Sequence, residues 1–312
     1  MRAREITATI EGMAEEKKTS EGPFLDVHFL LEESQPKGRG MILWYAVGFF
    51  FLVVLTSAYA QRTMPNGGQI VQLVSSLMMF ALMIGMGLIT WRAARAVQGE
   101  QGQLEAVEEL IQLRRWEEAG LLVQALLSRP TRTPPGRTQA LVFLAAILAR
   151  YHRFADAVSV YEHLLEGRLV EGQAAYGMKL ARAMSLLRED RLVDADRAMG
   201  ELRRLDRADD SAGLALLEIY RDVKTGHPRE AIEEFEKKQA LLRRQLGHRA
   251  ADGYALAAKA FDLAGESDKA REAFEKATLL SPMAELKRRY PEVGGMEEKY
   301  PAAVAPVEVG QM

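Results

Sequence analysis

No charged side chain occurs between Arg39 and Arg62, nor between Arg62 and Arg92, although 27% of the chain is charged. The two gaps are 22 and 29 residues long. Runs of that length without charge suit a lipid bilayer or a large apolar core, and little else. The first gap contains residues 41–60, MILWYAVGFFFLVVLTSAYA, and the second residues 70–91, IVQLVSSLMMFALMIGMGLITW. A helix rises about 1.5 Å per residue, so each stretch matches the roughly 30 Å hydrocarbon thickness of a membrane. Gln72, Ser75, Ser76 and Thr90 are compatible with that role, because they bury no charge and hydroxyls can bond back to the helix. Between the stretches, Pro65, Asn66, Gly67 and Gly68 supply a tight turn. Two spans joined so briefly are expected to run antiparallel, as a transmembrane helical hairpin.

Orientation follows from the flanks. Lys37 and Arg39 precede the first span and Arg92 and Arg95 follow the second, whereas the turn holds only Arg62. Basic residues accumulate on the cytoplasmic side, so both termini are expected there, at a cell (inner) membrane. Trp44 and Trp91 fall at the same interface, as an aromatic belt requires. Ser57, Ala58, Tyr59 and Ala60 also resemble a signal-peptidase site, but the apolar run is long for a signal peptide and about forty residues precede it. The competing reading of both stretches is a pair of buried helices in a soluble protein. Their length, lack of charge and shared Trp and Arg flanks favour membrane.

Composition narrows the rest. Forty-one basic against 43 acidic residues leave no basic excess for a nucleic-acid partner. The absence of Cys excludes disulfide scaffolds, thiolate nucleophiles and Cys-ligated metals. With 7% aromatic residues and abundant Leu and Ala, an all-α fold is expected.

Beyond Leu104 the chain repeats itself. RRWEEAGLLVQALL (114–127), HRFADAVSVYEHLL (152–165), DRLVDADRAMGELR (190–203), HPREAIEEFEKKQA (227–240) and ESDKAREAFEKATL (266–279) superimpose on Ala119, Ala157, Ala195, Ala231 and Ala270. Spacings of 38, 38, 36 and 39 residues, each holding two helical stretches, are the signature of an α-solenoid. In the last unit Tyr254, Ala257, Ala258, Phe261, Gly265, Ala270, Phe274, Ala277 and Pro282 carry a pattern that resembles the tetratricopeptide repeat. The small residues mark where two helices cross closely, and the aromatic ones fill the space on either side. The second unit follows the pattern at Leu141, Leu144, Ala145, Leu148, Phe154, Ala157, Tyr161 and Leu164. The fourth reads as degenerate, with a drifting first helix and Pro228 in place of an aromatic residue.

The expected organisation is therefore an N-terminal cytoplasmic segment over 1–40, partly disordered; a hairpin over 41–91; and a solenoid of about five helix-turn-helix units over 103–290. Residues 283–290 would form its capping helix, and residues 291–312, rich in Pro and Gly, a disordered tail. A linker at 93–102 would join span and solenoid. Within the first segment, residues 24–31 are apolar enough for a strand or a juxtamembrane helix.

No phosphate loop, dinucleotide fingerprint, nucleophile elbow or metal-binding His pair is present. No catalytic, cofactor or metal residue is expected, and the chain reads as a non-enzyme. The resemblance to tetratricopeptide repeats implies a membrane-anchored scaffold that binds a protein or peptide in a groove lined by first helices, with lipid around the hairpin. Candidate groove residues are Tyr176, Lys179 and Arg182 in the third unit, and Arg249, Asp252 and Lys259 in the fifth. Arg92 and Arg95, beside the membrane, could contribute to a patch for anionic headgroups. The alternative class is a membrane enzyme or transporter subunit acting through the hairpin; spans without an ionisable residue offer it no proton relay or ion ligand.

Overall fold

The computed structural model describes residues 25–36, 48, 51, 54, 55, 59, 68–205 and 211–301. Every regular element among the described residues is helical. The chain divides into two compact units, Met1–Leu169 and Val170–Met312.

The first unit holds α1 (Val27–Glu33), α2 (Gly68–Gln112), α3 (Trp116–Leu127), α4 (Pro134–Arg150) and α5 (Phe154–Glu166). Helix α2 packs on α3 and α4, α3 on α4, and α4 on α5. Leu104 and Val107 of α2, Val123 and Leu127 of α3, Leu141, Leu144 and Leu148 of α4, and Val160 and Leu164 of α5 are buried. The second unit holds α6 (Gly172–Arg188), α7 (Leu192–Arg203), α8 (Ala212–Thr225), α9 (Pro228–Leu246), α10 (Ala250–Leu263), α11 (Ser267–Leu280), α12 (Met283–Arg289) and α13 (Met296–Lys299). Here α6 meets α7 and α8, α8 meets α9 and α10, and α10 meets α11. In each unit the first helix of a pair thus touches its partner and the first helix of the next pair, which is how stacked helix pairs pack.

The repeat is written into the backbone. Each turn between paired helices contains one residue with positive φ: Arg114 (60°), His152 (58°), Asp190 (58°), Gly226 (76°) and Gly265 (83°). The following N–H reaches back five residues to close the preceding helix, from Arg115 to the Leu110 carbonyl at 2.8 Å, Arg153 to Leu148 at 2.9 Å and Arg191 to Leu186 at 3.0 Å. His227 to Asp222 and Glu266 to Phe261 do the same, both at 2.9 Å. This is the Schellman closure, in which a left-handed residue satisfies carbonyls that a helix end would leave open. Four residues beyond each closing N–H lies the aligned alanine, and all five alanines are fully buried. Five helix pairs among the described residues are thus closed by the same turn, in register with the aligned alanines.

Several expectations are corrected. The proposed linker is not a break, because α2 is one continuous helix of 45 residues from Gly68 through Gln112. Residues 92–112 are mostly strong helix formers, and Gly99 and Gly102 mark no close approach, since an added Cβ at either would meet nothing within 4 Å. The fourth unit is not thinly packed. Its first helix, α8, buries Leu214, Leu216, Leu217, Ile219, Tyr220 and Val223 among others, and Pro228 sits in the first turn of α9, where no backbone donor is lost. The tail does not begin at Pro291. Residues 291–301 form a 3₁₀ turn and α13, burying Val293, Met296 and Tyr300. Residues 302–312 lie outside the described residues.

At the other end, residues 27–33 form a helix and not a strand. Asp26 caps α1 by accepting from the Phe29 N–H at 3.1 Å. Leu25, Val27 and Leu30 are buried, with α1 lying against α3 and α5.

Candidate functional site

The N-terminal part of α2 presents an apolar surface that the rest of the described chain does not cover. Leu77, Met78, Phe80, Met83, Ile84, Met86, Leu88, Ile89 and Trp91 are all exposed, and Thr90 donates back to the Met86 carbonyl at 2.9 Å. From Ser76 onward α2 is the one helix among the described residues long and apolar enough to cross a membrane. The expected first span lies outside the described residues apart from isolated helical positions, of which Phe51, Val54, Leu55 and Tyr59 are exposed. One turn beyond Trp91, the Arg95 guanidinium lies 3.9 Å from the centroid of the Trp91 ring. The same helix then buries Leu104 and Val107 in the first unit.

Side-chain cations hold α1 in place. Arg137, itself buried, donates from Nε to Ser34 Oγ at 3.0 Å and from a terminal nitrogen to the Leu31 carbonyl at 2.8 Å. That terminal nitrogen also lies 3.0 Å from His163 Nε2. Thr131 Oγ1 donates to the Ser34 carbonyl at 2.8 Å, and Arg153 to the Leu25 carbonyl at 2.7 Å. Burial lowers the pKa of His163, and the neighbouring Arg137 charge lowers it further against an opposing pull from Glu166. Neutral His163 accepts from the guanidinium; a protonated ring would set two cations against each other.

The candidate groove residues do not form one site. Tyr176, Lys179 and Arg182 share a face of α6 at three-residue spacing and are half-buried. Arg182 donates to Glu201 at 3.0 Å, while the Tyr176 hydroxyl and Arg182 Nε are shielded from solvent with no hydrogen-bond partner among the described residues. Asp252 and Lys259 lie on α10 and Arg249 in the 3₁₀ turn just before it; α8 packs against both α6 and α10. Asp252 is fully buried, which corrects its assignment to a groove. Its carboxylate pairs with Arg289, accepts from the Tyr290 hydroxyl at 3.4 Å and lies 3.6 Å from Arg249. Lys259 lies 3.8 Å from Asp262, whose carboxylate also takes Lys299 and, at 2.9 Å, the Tyr300 hydroxyl. The Arg289 and Lys299 pairs fasten α12 and α13 over α10, so Asp252 serves the cap, whereas Arg249 and Lys259 pair with acids three residues further along the chain.

That cap extends to α8. The Tyr220 and Tyr290 rings meet edge to face at 5.0 Å, and the Tyr220 hydroxyl donates to Glu292 at 3.2 Å. Burial, followed by the negative charge of Glu292, raises the Tyr220 pKa far above its ordinary value. Lys224 joins the Leu187 carbonyl at 2.7 Å, Asp190 at 2.5 Å and Glu292 at 3.4 Å. No cluster of potential metal ligands occurs among the described residues.

Arg137, Arg153 and Thr131 carry no sequence signal for their role, because most of what they grip is main-chain carbonyl far away in the chain. Compared with known proteins, the chain matches no family model and no curated protein.

Proposed function

We propose that the protein is a membrane-anchored interaction scaffold, with a tetratricopeptide-like solenoid held at the membrane face where α2 emerges. The observation that carries this reading is the continuity of α2, exposed and apolar at one end and buried in the first repeat unit at the other. A helix without a linker fixes the distance and tilt of the repeats relative to the bilayer, which suits assembly of partners at that surface better than free tethering does.

The docking of α1 supports two crossings. Residues 25–36 pack on the same unit that α2 enters, so both lie on one side of any membrane α2 spans. A chain that starts and finishes on one side crosses an even number of times. Residues 37–67 must then supply the return, and 41–60 are the stretch long and apolar enough to do so. Basic flanks at Lys37, Arg39, Arg92 and Arg95 support the cytoplasmic side of the inner membrane. The partner on this reading is a protein or peptide, with Tyr176, Lys179 and Arg182 as its contact face.

The natural chain has no Cys, so single substitutions report topology cleanly. In sealed vesicles, Gln35→Cys and Leu279→Cys should react with an impermeant maleimide from the same side, and Asn66→Cys only from the other. Opposite sidedness of Gln35→Cys and Leu279→Cys would sink the hairpin. Recovery of the full chain in the soluble fraction without detergent would sink the anchor. A photoreactive side chain at position 179 in native membranes should crosslink a discrete protein, and crosslinks to lipid alone would remove the groove from the proposal.

A further inference from the structure

We propose that the recess at the base of α2 binds the phosphate headgroup of an anionic membrane lipid. The proposal rests on the reading of α2 as a membrane-spanning helix. The recess has a volume of about 520 Å³ and lies between α2 and the turn from α3 to α4. Its α2 wall is Ala96, Gly99 and Gln103, and its opposite wall includes Arg129, Pro130 and Arg132. Ala96, Gly99 and Gln103 recur at helical spacing, and Arg92 continues the same stripe one turn nearer the apolar segment.

Depth and charge select the ligand. Ala96 lies about 8 Å along the helix axis from Trp91, so the mouth of the recess falls at the level of the headgroup layer. Gly99 presents no side chain to close it, and an added Cβ there would meet nothing within 4 Å. Arg92, Arg129 and Arg132 bring three exposed guanidinium groups, and none of them forms an ion pair among the described residues. Arg129 donates to Gln103 at 3.0 Å, which turns it along the α2 wall. The one acid at the floor, Glu100, is buried and already engaged: it accepts from the Arg132 N–H at 2.7 Å and faces Thr133 Oγ1 at 3.5 Å. Cations therefore outnumber the acid at the lipid boundary, and guanidinium groups bind phosphate oxygens in pairs. A neutral zwitterionic headgroup gains less from that excess, because its own ammonium is repelled by it.

The test uses the full chain reconstituted into discs of phosphatidylcholine with and without phosphatidylglycerol, and counts lipid retained on release into detergent. The parent should retain phosphatidylglycerol selectively, and Arg129→Gln with Arg132→Gln should lower that retention about tenfold or more, as loss of two cations near an anionic surface implies. Gly99→Leu, which keeps every charge and fills the recess, should lower it as well. Equal retention of both lipids, or an unchanged count in both variants, overturns the headgroup site. Displacement by inorganic phosphate as readily as by lipid overturns the lipid as its source. A chain that enters neither kind of disc overturns the spanning reading of α2 itself.

Discussion

Arg137 Nε donates to Ser34 Oγ at 3.0 Å, joining residues 103 positions apart in the chain. Everything between them includes the whole apolar region, so this one contact ties the segment before that region to the helix pairs after it. A seven-residue helix is too short to persist alone in water. Helix α1 forms because its apolar face is covered and because Arg137, Arg153 and Thr131 engage the Leu25, Leu31 and Ser34 carbonyls around it.

Replacing Arg137 with Met should therefore release α1 while leaving the α4–α5 pair folded. Hydrogen bonds to a charged donor contribute about 1.5–3 kcal/mol each, and their loss exceeds what so short a helix can bear. Hydrogen exchange over residues 27–34 should accelerate to the rate of an open chain, with little change over Leu141, Leu144 and Leu148. Unchanged protection of α1 would show that apolar burial of Leu25, Val27 and Leu30 holds it without the clamp.

The same clamp should respond to acid. The folded pKa of His163 is below its ordinary value of 6.5, for reasons of burial and of the Arg137 charge. Between the folded and unfolded values the unfolded chain binds the extra proton, so stability rises with pH there and falls as pH drops below about 6.5. The loss should be read first in exchange of α1, before carboxylates titrate near pH 4. In His163→Gln, whose amide oxygen still accepts from Arg137, that slope should flatten. An equal slope in parent and variant would assign the effect to another group.

Sequence made the repeats legible because their register rests on small residues that nothing larger can replace. Ala119, Ala157, Ala195, Ala231 and Ala270 stand where helices cross, and each is fully buried. The turns were legible only in part. Gly226 and Gly265 announce left-handed backbone, but Arg114, His152 and Asp190 adopt it without glycine. Residues 93–102 read only as the connection between span and solenoid, yet their helix propensity and the packing of Leu104 and Val107 carry α2 through. The cap and the α1 clamp were hidden for a different reason. Asp252 on a first helix reads as a groove residue, and nothing local shows that Arg289 and Tyr290 close over it. Contacts of long sequence separation to carbonyls or lone carboxylates leave no period to detect.

Asp252 also sets a test of the cap. Its carboxylate is fully buried, and Arg289 pairs with it while donating to Ser281 Oγ at 3.1 Å. Arg289→Met should destabilise the α10–α12 contact by about 3 kcal/mol, because it strands a buried charge with Arg249 3.6 Å away as its remaining cation. Adding Asp252→Asn should recover part of that loss, since the stranded charge is then gone. Urea titration following exchange over residues 283–300 would measure both. Additive losses in the double variant would mean that the pair is not coupled.

The turns provide the last test, because one backbone geometry is carried by different residues. Gly265 has φ of 83°, and an added Cβ would meet nothing within 4 Å, so Gly265→Ala suffers from backbone strain alone. The left-handed conformation costs an L-residue about 1–2 kcal/mol, and the fifth unit should lose roughly that amount. Arg114 holds the equivalent place in the first unit at φ of 60° and already bears the strain. Arg114→Gly should relieve it and, measured against Arg114→Ala, which removes the same side-chain contacts, stabilise the α2–α3 turn by about 0.5–1 kcal/mol once the greater freedom of glycine in the unfolded chain is counted. Opposite signs at two positions 151 residues apart would follow from one repeated closure, the N–H of Arg115 on Leu110 and that of Glu266 on Phe261. Chemical denaturation of Gly265→Ala against the parent, and of Arg114→Gly against Arg114→Ala, decides it: a stabilising Gly265→Ala, or an Arg114→Gly less stable than Arg114→Ala, would mean that the turns are not held in this conformation.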